Sequence, residues 1–217
     1  MPSKKEIISI NKTLEELVLI SGLSGYENNV RDYLINQLKN NSLKSTTDVL
    51  GNLICTLKGD ETLPSVILFA HMDQLGFIVK KIEDNGFIRV ERLGGIPEKV
   101  LVSQDIVIVN NKNELIKGII GNKSHHATSQ EEKYTVTPIK NIYIDAGFKN
   151  KKDVLKSGIN IGSPVTYAPY YKNLSNNNVC GSSIDDRAGC AVILDVASSL
   201  MKIKKRPTVY VVFSVQE

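Results

Sequence analysis

The sequence predicts an α/β fold that is interrupted by a small all-β region, and three features of the residue pattern support this prediction. Apolar runs without polar alternation, at residues 66–70 and 208–215, are typical of strands covered on both faces in an α/β sheet. Segments of helical periodicity precede and separate these runs. Between residues 76 and 166 the pattern changes to short alternating strands and tight turns, which favours a barrel or a sandwich.

The composition is that of a globular protein. The 217 residues are 41% hydrophobic and 23% charged, which is far from the composition of disordered chains. The net charge is +4, and only residues 202–206 are locally basic. We interpret that stretch as a solvated loop rather than a nucleic-acid contact, because it lies between a predicted helix and a predicted strand. The composition therefore does not point to a nucleic-acid partner.

The cysteines and the N-terminal residues bear on the compartment. The three cysteines, Cys55, Cys180 and Cys190, are an odd number and none has CxxC spacing, so we expect buried thiols rather than disulfides or a zinc knuckle. The first residues, MPSKKEIISINK, contain only a short apolar stretch and no cleavage signal follows. We expect a soluble, cytoplasmic protein that does not bind a membrane.

The N-terminal part of the chain predicts two helices and two strands. The first helix is predicted over residues 4–20 from the apolar spacing that starts at Ile7 and Ile8. The second ends near Leu38, and Ser24 with Glu27 matches a capping box before it. Predicted strands follow at residues 50–59 and 66–70.

The middle and last parts of the chain divide it into three segments. Two hairpins are predicted around the turns at residues 84–86 and 110–113, with further strand material at 136–144 and 163–167. A long apolar helix is predicted at 188–201 and a buried strand at 208–215. We therefore predict an α/β domain at 1–75, an inserted β domain at 76–166, and the continued α/β domain at 167–217.

Chemically interesting residues follow the predicted buried strands. His71 and Asp73 come directly after the strand at 66–70, where functional groups of open α/β sheets gather. An imidazole at such a place is able to bind a metal while a carboxylate orients it. A purely structural histidine also fits the pattern at this point.

Asp185 and Glu217 occupy comparable places. Asp185 and Asp186 precede the helix at 188–201, where they either stabilise the helix N-terminus or hold metal ions. Glu217 follows the strand at 208–215, where a carboxylate is able to act as a general base. All these groups lie in the α/β segments and none in the β region, which favours a common site.

The segments FAHMDQLGF, IDDRAG and FSVQE, with the β region between the first two, resemble one enzyme family. It comprises the dinuclear-metal aminopeptidases that form tetrahedral dodecamers, known as glutamyl or leucyl aminopeptidases or endoglucanase-like peptidases. SGLSGYENNVRDYL, DVLGNLICTLKG and YIDAGFKNKKDVLKSGINIGSPVTY resemble the same family. The resemblance implies a mixed-sheet co-catalytic metallopeptidase domain interrupted by a barrel-like dimerisation domain.

The resemblance also implies roles for individual residues. His71 would bind one metal ion, and Asp73 would orient the imidazole of His71. Asp185 would bridge two divalent ions, and the peptide bond to Asp186 is expected to be cis. Glu217 would be the general base for a two-metal-activated water that hydrolyses N-terminal residues from peptides. The ions would be zinc, cobalt or manganese, two per subunit, and the complete enzyme would self-associate into a dodecamer through the β domain.

Three departures from the family pattern stand out. The family commonly has Glu at the position of Gln74. In GNKSHHATSQEEK, prolines are usual where Ser124 and His125 stand, and His126 matches a family histidine, although an ordinary surface loop fits both histidines as well. The family's later ligands, starting with a Glu after Glu217, are not in this sequence. We therefore expect this sequence to correspond to roughly the N-terminal two thirds of the enzyme and to be inactive by itself.

Two other interpretations remain open. A non-catalytic assembly or binding subunit would keep the fold and lack a competent site. A related deacylase or carboxypeptidase-like hydrolase would share the metal centre, although the position and type of the inserted region argue against it. The preferred substrate side chain and the identity of the metal do not follow from the sequence.

Overall fold

The computed structural model describes residues 4–217, with the side chains of the first helix described from Ile10 onward. The described residues form four α-helices: α1 (Lys4–Val18), α2 (Asn28–Asn40), α3 (Lys151–Lys156) and α4 (Ile184–Leu200). None of the described helices has the length and apolar character needed to cross a lipid bilayer.

Twelve strands accompany these helices in the described part of the chain. They are β1 (Ser45–Thr47), β2 (Leu53–Leu57), β3 (Val66–His71), β4 (Gly76–Ile82), β5 (Ile88–Leu93), β6 (Asp105–Val109), β7 (Leu115–Ile120), β8 (Ile144–Asp145), β9 (Pro164–Tyr167), β10 (Tyr171–Asn173), β11 (Val179–Gly181) and β12 (Val209–Ser214). The chain divides into two compact units. We call residues up to Gln74 together with Tyr170–Glu217 the sheet unit, and Leu75–Pro169 the barrel unit.

The sheet unit is built on a four-stranded sheet in the order β1-β2-β12-β3. Strand β12 is antiparallel to β2 and parallel to β3, so the sheet is mixed. One face packs against α1, α2 and α4 in a single apolar core, to which the three longer strands contribute alternate residues. Among these are Cys55, Val211 and Ala70, each almost fully buried. The period-2 alternation of β-strands places these side chains on the same face.

The predicted helices form, with one error in the capping. Leu14, Leu17 and Val18 of α1 are buried at helical spacing, as are Val30, Leu34 and Leu38 of α2. The predicted apolar positions Ile7 and Ile8 lie outside the described side chains. The predicted capping box of Ser24 and Glu27 does not form, so that prediction is wrong.

The cap of α2 is Glu27, and no side-chain hydrogen bond closes it. Glu27 Oε1 instead accepts hydrogen bonds from the backbone N–H groups of Gly25 and Gln216, at 2.8 and 3.2 Å. Its carboxylate therefore ties two loops together, because the tertiary contact with the chain after β12 competes with the local cap.

The second face of the sheet is open, which corrects the prediction that β3 is covered on both faces. Ile67 and Phe69 of β3 are 62% and 74% exposed, and Tyr210 beside them on β12 is 37% exposed. No described helix packs on this face, and β3 is an edge strand without a second strand partner among the described residues. The apolar run predicted burial correctly only for the face that meets the helices.

We expect this open face to make the isolated 217-residue chain associate. Exposed contiguous apolar side chains on an edge strand promote association. Phe69→Lys should therefore increase the monomer fraction in size-exclusion chromatography with light scattering. Leu115→Lys, which changes a half-exposed leucine of the barrel unit, is the control and should change little. A monodisperse wild-type monomer with a sharp, cooperative melt would contradict this expectation.

The barrel unit is a closed barrel in the order β4-β5-β8-β7-β6-β9. Both predicted hairpins are confirmed: β4 pairs with β5, and β6 with β7, each antiparallel. Gly86 and Asn113 adopt positive φ in the two turns, as tight hairpin turns require. Apolar side chains such as Phe77, Ile106 and Ile144 fill the barrel core.

One prediction in this unit is wrong. The stretch at 136–144, predicted as strand, is a loop containing the short 3₁₀ turn Ile139–Asn141, and only Ile144–Asp145 joins the barrel. Pro138 begins this turn and cannot donate a ladder hydrogen bond.

Candidate functional site

The site forms where β3 and β12 end at the same edge of the sheet. These strands run parallel, and His71 lies in register with Ser214. The chain after β3 is held on both sides, because Met72 N–H donates to the carbonyl of Ser214 at 2.7 Å and Gln74 N–H to that of Gly22 at 2.9 Å. Side chains that follow the two strands are thereby brought together.

Glu217 reaches this edge through a specific turn. Val215 N–H donates to Asn52 Oδ1 at 3.0 Å, and Gln216 N–H to Glu27 Oε1 at 3.2 Å. Gln216 then adopts a left-handed conformation, with φ of 53°. Glu217 N–H donates to Asp73 Oδ1 at 3.3 Å, so the backbone of Glu217 is tied to the segment after β3.

Asp185 and Asp186 lie at the start of α4, outside its regular helical geometry. The peptide bond between them is cis, as the resemblance implied. Asp186 Oδ1 accepts a hydrogen bond from Gly189 N–H at 2.9 Å, so this carboxylate stabilises the first regular turn of the helix. The side chain of Asp185 is 96% exposed and therefore accessible to a ligand.

His71 is the centre of the cluster. Its Nε2 lies 3.1 Å from Asp185 Oδ1 and 3.3 Å from Glu217 Oε2. On the other side of the ring, Nδ1 lies 3.3 Å from Asp73 Oδ1. The structure therefore brings together all four residues singled out in the sequence, His71, Asp73, Asp185 and Glu217.

The contact with Asp73 is close but not aligned. Nδ1 of His71 is buried and has no hydrogen-bond partner of good geometry, although the Asp73 carboxylate is within ion-pair distance. A buried polar nitrogen is normally hydrogen-bonded. Asp73 is nevertheless the carboxylate that lies beside the ring nitrogen that an orienting group must contact.

The electrostatics of the cluster favour a cation. Burial by itself lowers the pKa of His71. The hydrogen bond with Asp185 and the negative charges of Glu217, Asp73 and Asp186 outweigh burial, so the pKa lies above its ordinary value of 6.5. Nearby carboxylates stabilise positive charge at this position, whether it is carried by a proton or by a metal ion.

The donor atoms fit part of a metal coordination shell. One imidazole nitrogen and carboxylate oxygens are suitable ligands for zinc, cobalt or manganese. Among the described side chains, however, no group of three or more His, Cys, Asp or Glu residues is arranged to hold a metal ion. His71 and Asp185 fit as two ligands, and a complete shell needs further groups.

Comparison with known proteins agrees with this architecture. The family described as M42 glutamyl aminopeptidase matches residues 51–217. The chain belongs to the M42 peptidase family. It is 36% identical over 210 residues to the protein SgcX of Escherichia coli K12, covering 96% of this chain and 56% of that relative. M42 is a family of aminopeptidases, which are hydrolases.

Solved structures show the same mixed α/β fold. The aminopeptidase APDkam598 from the archaeon Desulfurococcus kamchatkensis superposes with a TM-score of 0.88 at 31% identity, covering 97% of this chain and 57% of that one. The TET1 peptidase of Pyrococcus horikoshii, which can assemble into a tetrahedron or a large octahedral shell, superposes with a TM-score of 0.88 at 28% identity. The match covers 96% of this chain and 62% of that one.

This M42 chain spans little more than half the length of the curated relatives it matches, rather than the two thirds that the resemblance indicated.

The structure places around the cluster residues whose contacts there the sequence did not predict. Arg187, two positions after Asp185, is fully buried, and Gln74 lies against it. An arginine in the first turn of a helix normally reaches solvent, so nothing in the local sequence predicted its burial. Glu27 was predicted only as a capping residue, yet it holds the turn before Glu217.

Two other groups of interest take no part in the cluster. Burial raises the pKa of the Cys190 thiol to about 12, so it stays protonated and donates to the backbone carbonyl of His71 at 3.3 Å. This thiol is therefore a structural donor. His125 and His126 belong to the barrel unit, where their exposed rings lie 5.8 Å apart.

Proposed function

We propose that the sheet unit carries part of the active site of a metal-dependent aminopeptidase that removes N-terminal residues from peptides. The observation that supports this most strongly is the convergence of His71, Asp185 and Glu217, with Nε2 of the imidazole 3.1 and 3.3 Å from the two carboxylates. Membership of the M42 family gives the reaction class. The residue roles, the metal ions and the mechanism are part of the proposal.

Each residue of the cluster has a separate task in this proposal. His71 would help to hold one divalent ion and Asp185 would help to hold two, the ions being zinc, cobalt or manganese. When bound, these ions would polarise the scissile carbonyl group and increase the acidity of a water molecule. Glu217 would accept the proton of the attacking water and pass it to the leaving amine. Asp73, beside Nδ1, would keep the imidazole in the orientation that presents Nε2 to the ligand.

The barrel unit has a proposed task of its own. It lies in the sequence between the two segments of the sheet unit, and we propose that it is an inserted dimerisation domain. Through it the complete protein would self-associate into a dodecamer, as the TET1 peptidase assembles into closed particles. The three cysteines are free, which fits the proposed cytoplasmic location.

A non-catalytic binding or assembly subunit is the second candidate. Such a subunit would keep the fold of the sheet unit, and its full-length protein would lack a competent metal site. A peptidase assay separates the two candidates. The full-length protein, meaning this chain with any sequence that completes it to the length of its relatives, is tested on a panel of aminoacyl substrates with zinc, cobalt or manganese added. Turnover on any substrate supports the aminopeptidase, whereas none with any metal supports the second candidate.

The 217-residue chain by itself should hydrolyse no peptide and bind metal weakly. A catalytic zinc normally has three protein ligands, and His71 with Asp185 supply two donor residues for two ions. The measurement is peptidase activity and metal stoichiometry after dialysis, with the full-length protein as the positive control. Aminopeptidase turnover by the purified 217-residue chain would show that its described residues are sufficient, and would refute the expectation.

A further inference from the structure

Arg187 is a buried cation that connects three elements of the sheet unit. It is in the first turn of α4, and its relative exposure is 0%. Its Nη1 donates to the carbonyls of Leu17 and Ile20, at 2.7 and 3.3 Å, near the C-terminal end of α1. Its Nη2 donates to Gln74 Oε1 at 3.4 Å, in the segment that follows β3. A guanidinium suits this task, because its planar fork donates in several fixed directions.

The surroundings are shaped for this side chain. A Cβ atom added to Gly22 would lie 2.7 Å from Val30 Cγ2 and 2.8 Å from Arg187 Nη2, so glycine at this position leaves room for both side chains. The carbonyl of Leu17 accepts from Ile20 N–H as well as from Arg187, and the negative end of the helix dipole stabilises a cation at this end of α1. Burial lowers the pKa of Arg187 to about 10, with the negative charges of Asp73 and Glu27 opposing the effect of burial, so the side chain stays charged at neutral pH.

Among the described side chains, no carboxylate forms a direct ion pair with this arginine. The side chain that accepts a hydrogen bond from it is the neutral Gln74, and its Nε has no hydrogen-bond partner among the described atoms. A group that served only to stabilise the fold would cost less as an apolar side chain, because desolvating a charge is expensive. Through Gln74 the arginine contacts the segment that carries His71 and Asp73. Arg187 itself belongs to the segment that carries Asp185.

We propose that Arg187 is a positioning residue for the proposed hydrolytic site. Its guanidinium fixes the segment after β3, which carries His71 and Asp73, relative to the first turn of α4, which carries Asp185. Gln74 is the acceptor through which this positioning acts. The inference rests on the proposed function for its catalytic consequence, whereas the mechanical connection is testable without any activity.

The first test is hydrogen–deuterium exchange of the full-length protein without added metal. Arg187→Lys keeps the positive charge but loses the planar guanidinium that donates to several acceptors at once. It should speed exchange in residues 71–74 and 184–190 by roughly 10-fold or more, the factor that one hydrogen bond to a charged group represents. Gln74→Leu leaves the bonds to α1 in place and should speed exchange mainly in residues 71–74. If Arg187→Lys fails to fold, the exchange of residues 71–74 in Gln74→Leu tests the positioning role by itself.

Arg206→Lys is the matched control. Arg206 also donates to several carbonyls of the sheet unit, among them those of Leu200 and Leu57, but these lie away from the site edge. It should leave exchange at residues 71–74 and 184–190 unchanged. If Arg187→Lys exchanges like wild type in these segments, or speeds exchange uniformly through the sheet unit, the positioning role is refuted.

The second test is kinetic. Arg187→Lys should lower kcat by roughly 10- to 100-fold, the usual cost of losing a group that supports metal ligands, with little change in KM. Arg206→Lys should keep wild-type kcat. A wild-type kcat for Arg187→Lys would overturn the proposal. If the wild-type full-length protein shows no peptidase activity with any metal, the proposed function fails, and the exchange experiment still decides the positioning role.

Discussion

Glu217→Gln in the full-length protein should lower kcat by about 10²–10⁴-fold while the metal content stays at the wild-type value. Glu217 lies 3.3 Å from Nε2 of His71, and its side chain is 72% exposed, as a group that must meet water and substrate requires. The amide of glutamine has nearly the same shape as the carboxylate but does not accept a proton from water. The chemical step therefore slows while the metal ligands remain.

The measurement combines kcat and KM on an aminoacyl substrate with metal stoichiometry of the same preparation. Glu61→Gln, which changes an exposed glutamate of the same unit, is the control and should match wild type in both quantities. Loss of metal by Glu217→Gln would identify Glu217 as a ligand. Retention of both metal and nearly full activity would place the general base elsewhere.

Asp185→Ala should remove metal as well as activity. Its carboxylate is exposed and lies 3.1 Å from Nε2 of His71, and in the proposed site it is a ligand for both ions. Losing a shared ligand weakens the binding of each ion, and catalysis that depends on them is lost with them. His71→Ala should also lower metal content, because His71 is the proposed ligand of one of the ions.

Metal content by mass spectrometry, together with kcat, is the measurement for Asp185→Ala. Asp195→Ala is the matched control, because Asp195 lies on the same helix α4 and has no place in the cluster. It should retain wild-type metal and activity. Full metal occupancy in Asp185→Ala would exclude the bridging role, whatever the activity of that variant.

Local chemistry made several elements predictable from the sequence. The hairpin between β4 and β5 depends on Asn85 and Gly86, whose conformational preferences act over a few residues. The helical spacing of Leu34 and Leu38 likewise indicates a buried face without knowledge of its partner. His71, Asp73, Asp185 and Glu217 were singled out as a set, because each follows a predicted buried strand or precedes a predicted helix and because the motifs around them resemble those of one family.

Other features depended on competition between distant segments. Glu27 matches a local cap, but the chain after β12 offers it the backbone N–H of Gln216, and that contact replaces the cap. The apolar run of β3 does not reveal how many of its faces are covered. Phe69 is exposed, because no described element packs on its side of the sheet.

The sequence by itself determined the α/β pattern, the two hairpins and the candidate residues, because each follows from the preferences of residues that are close in the chain. The tertiary structure alone decided that Asp185 meets His71 across 114 positions, and that Arg187 is buried against Gln74 and the end of α1. Arg187 is buried because the carbonyls of Leu17 and Ile20 accept its hydrogen bonds and Gly22 leaves space beside it. That enclosure exists only once α1, β3 and α4 have packed.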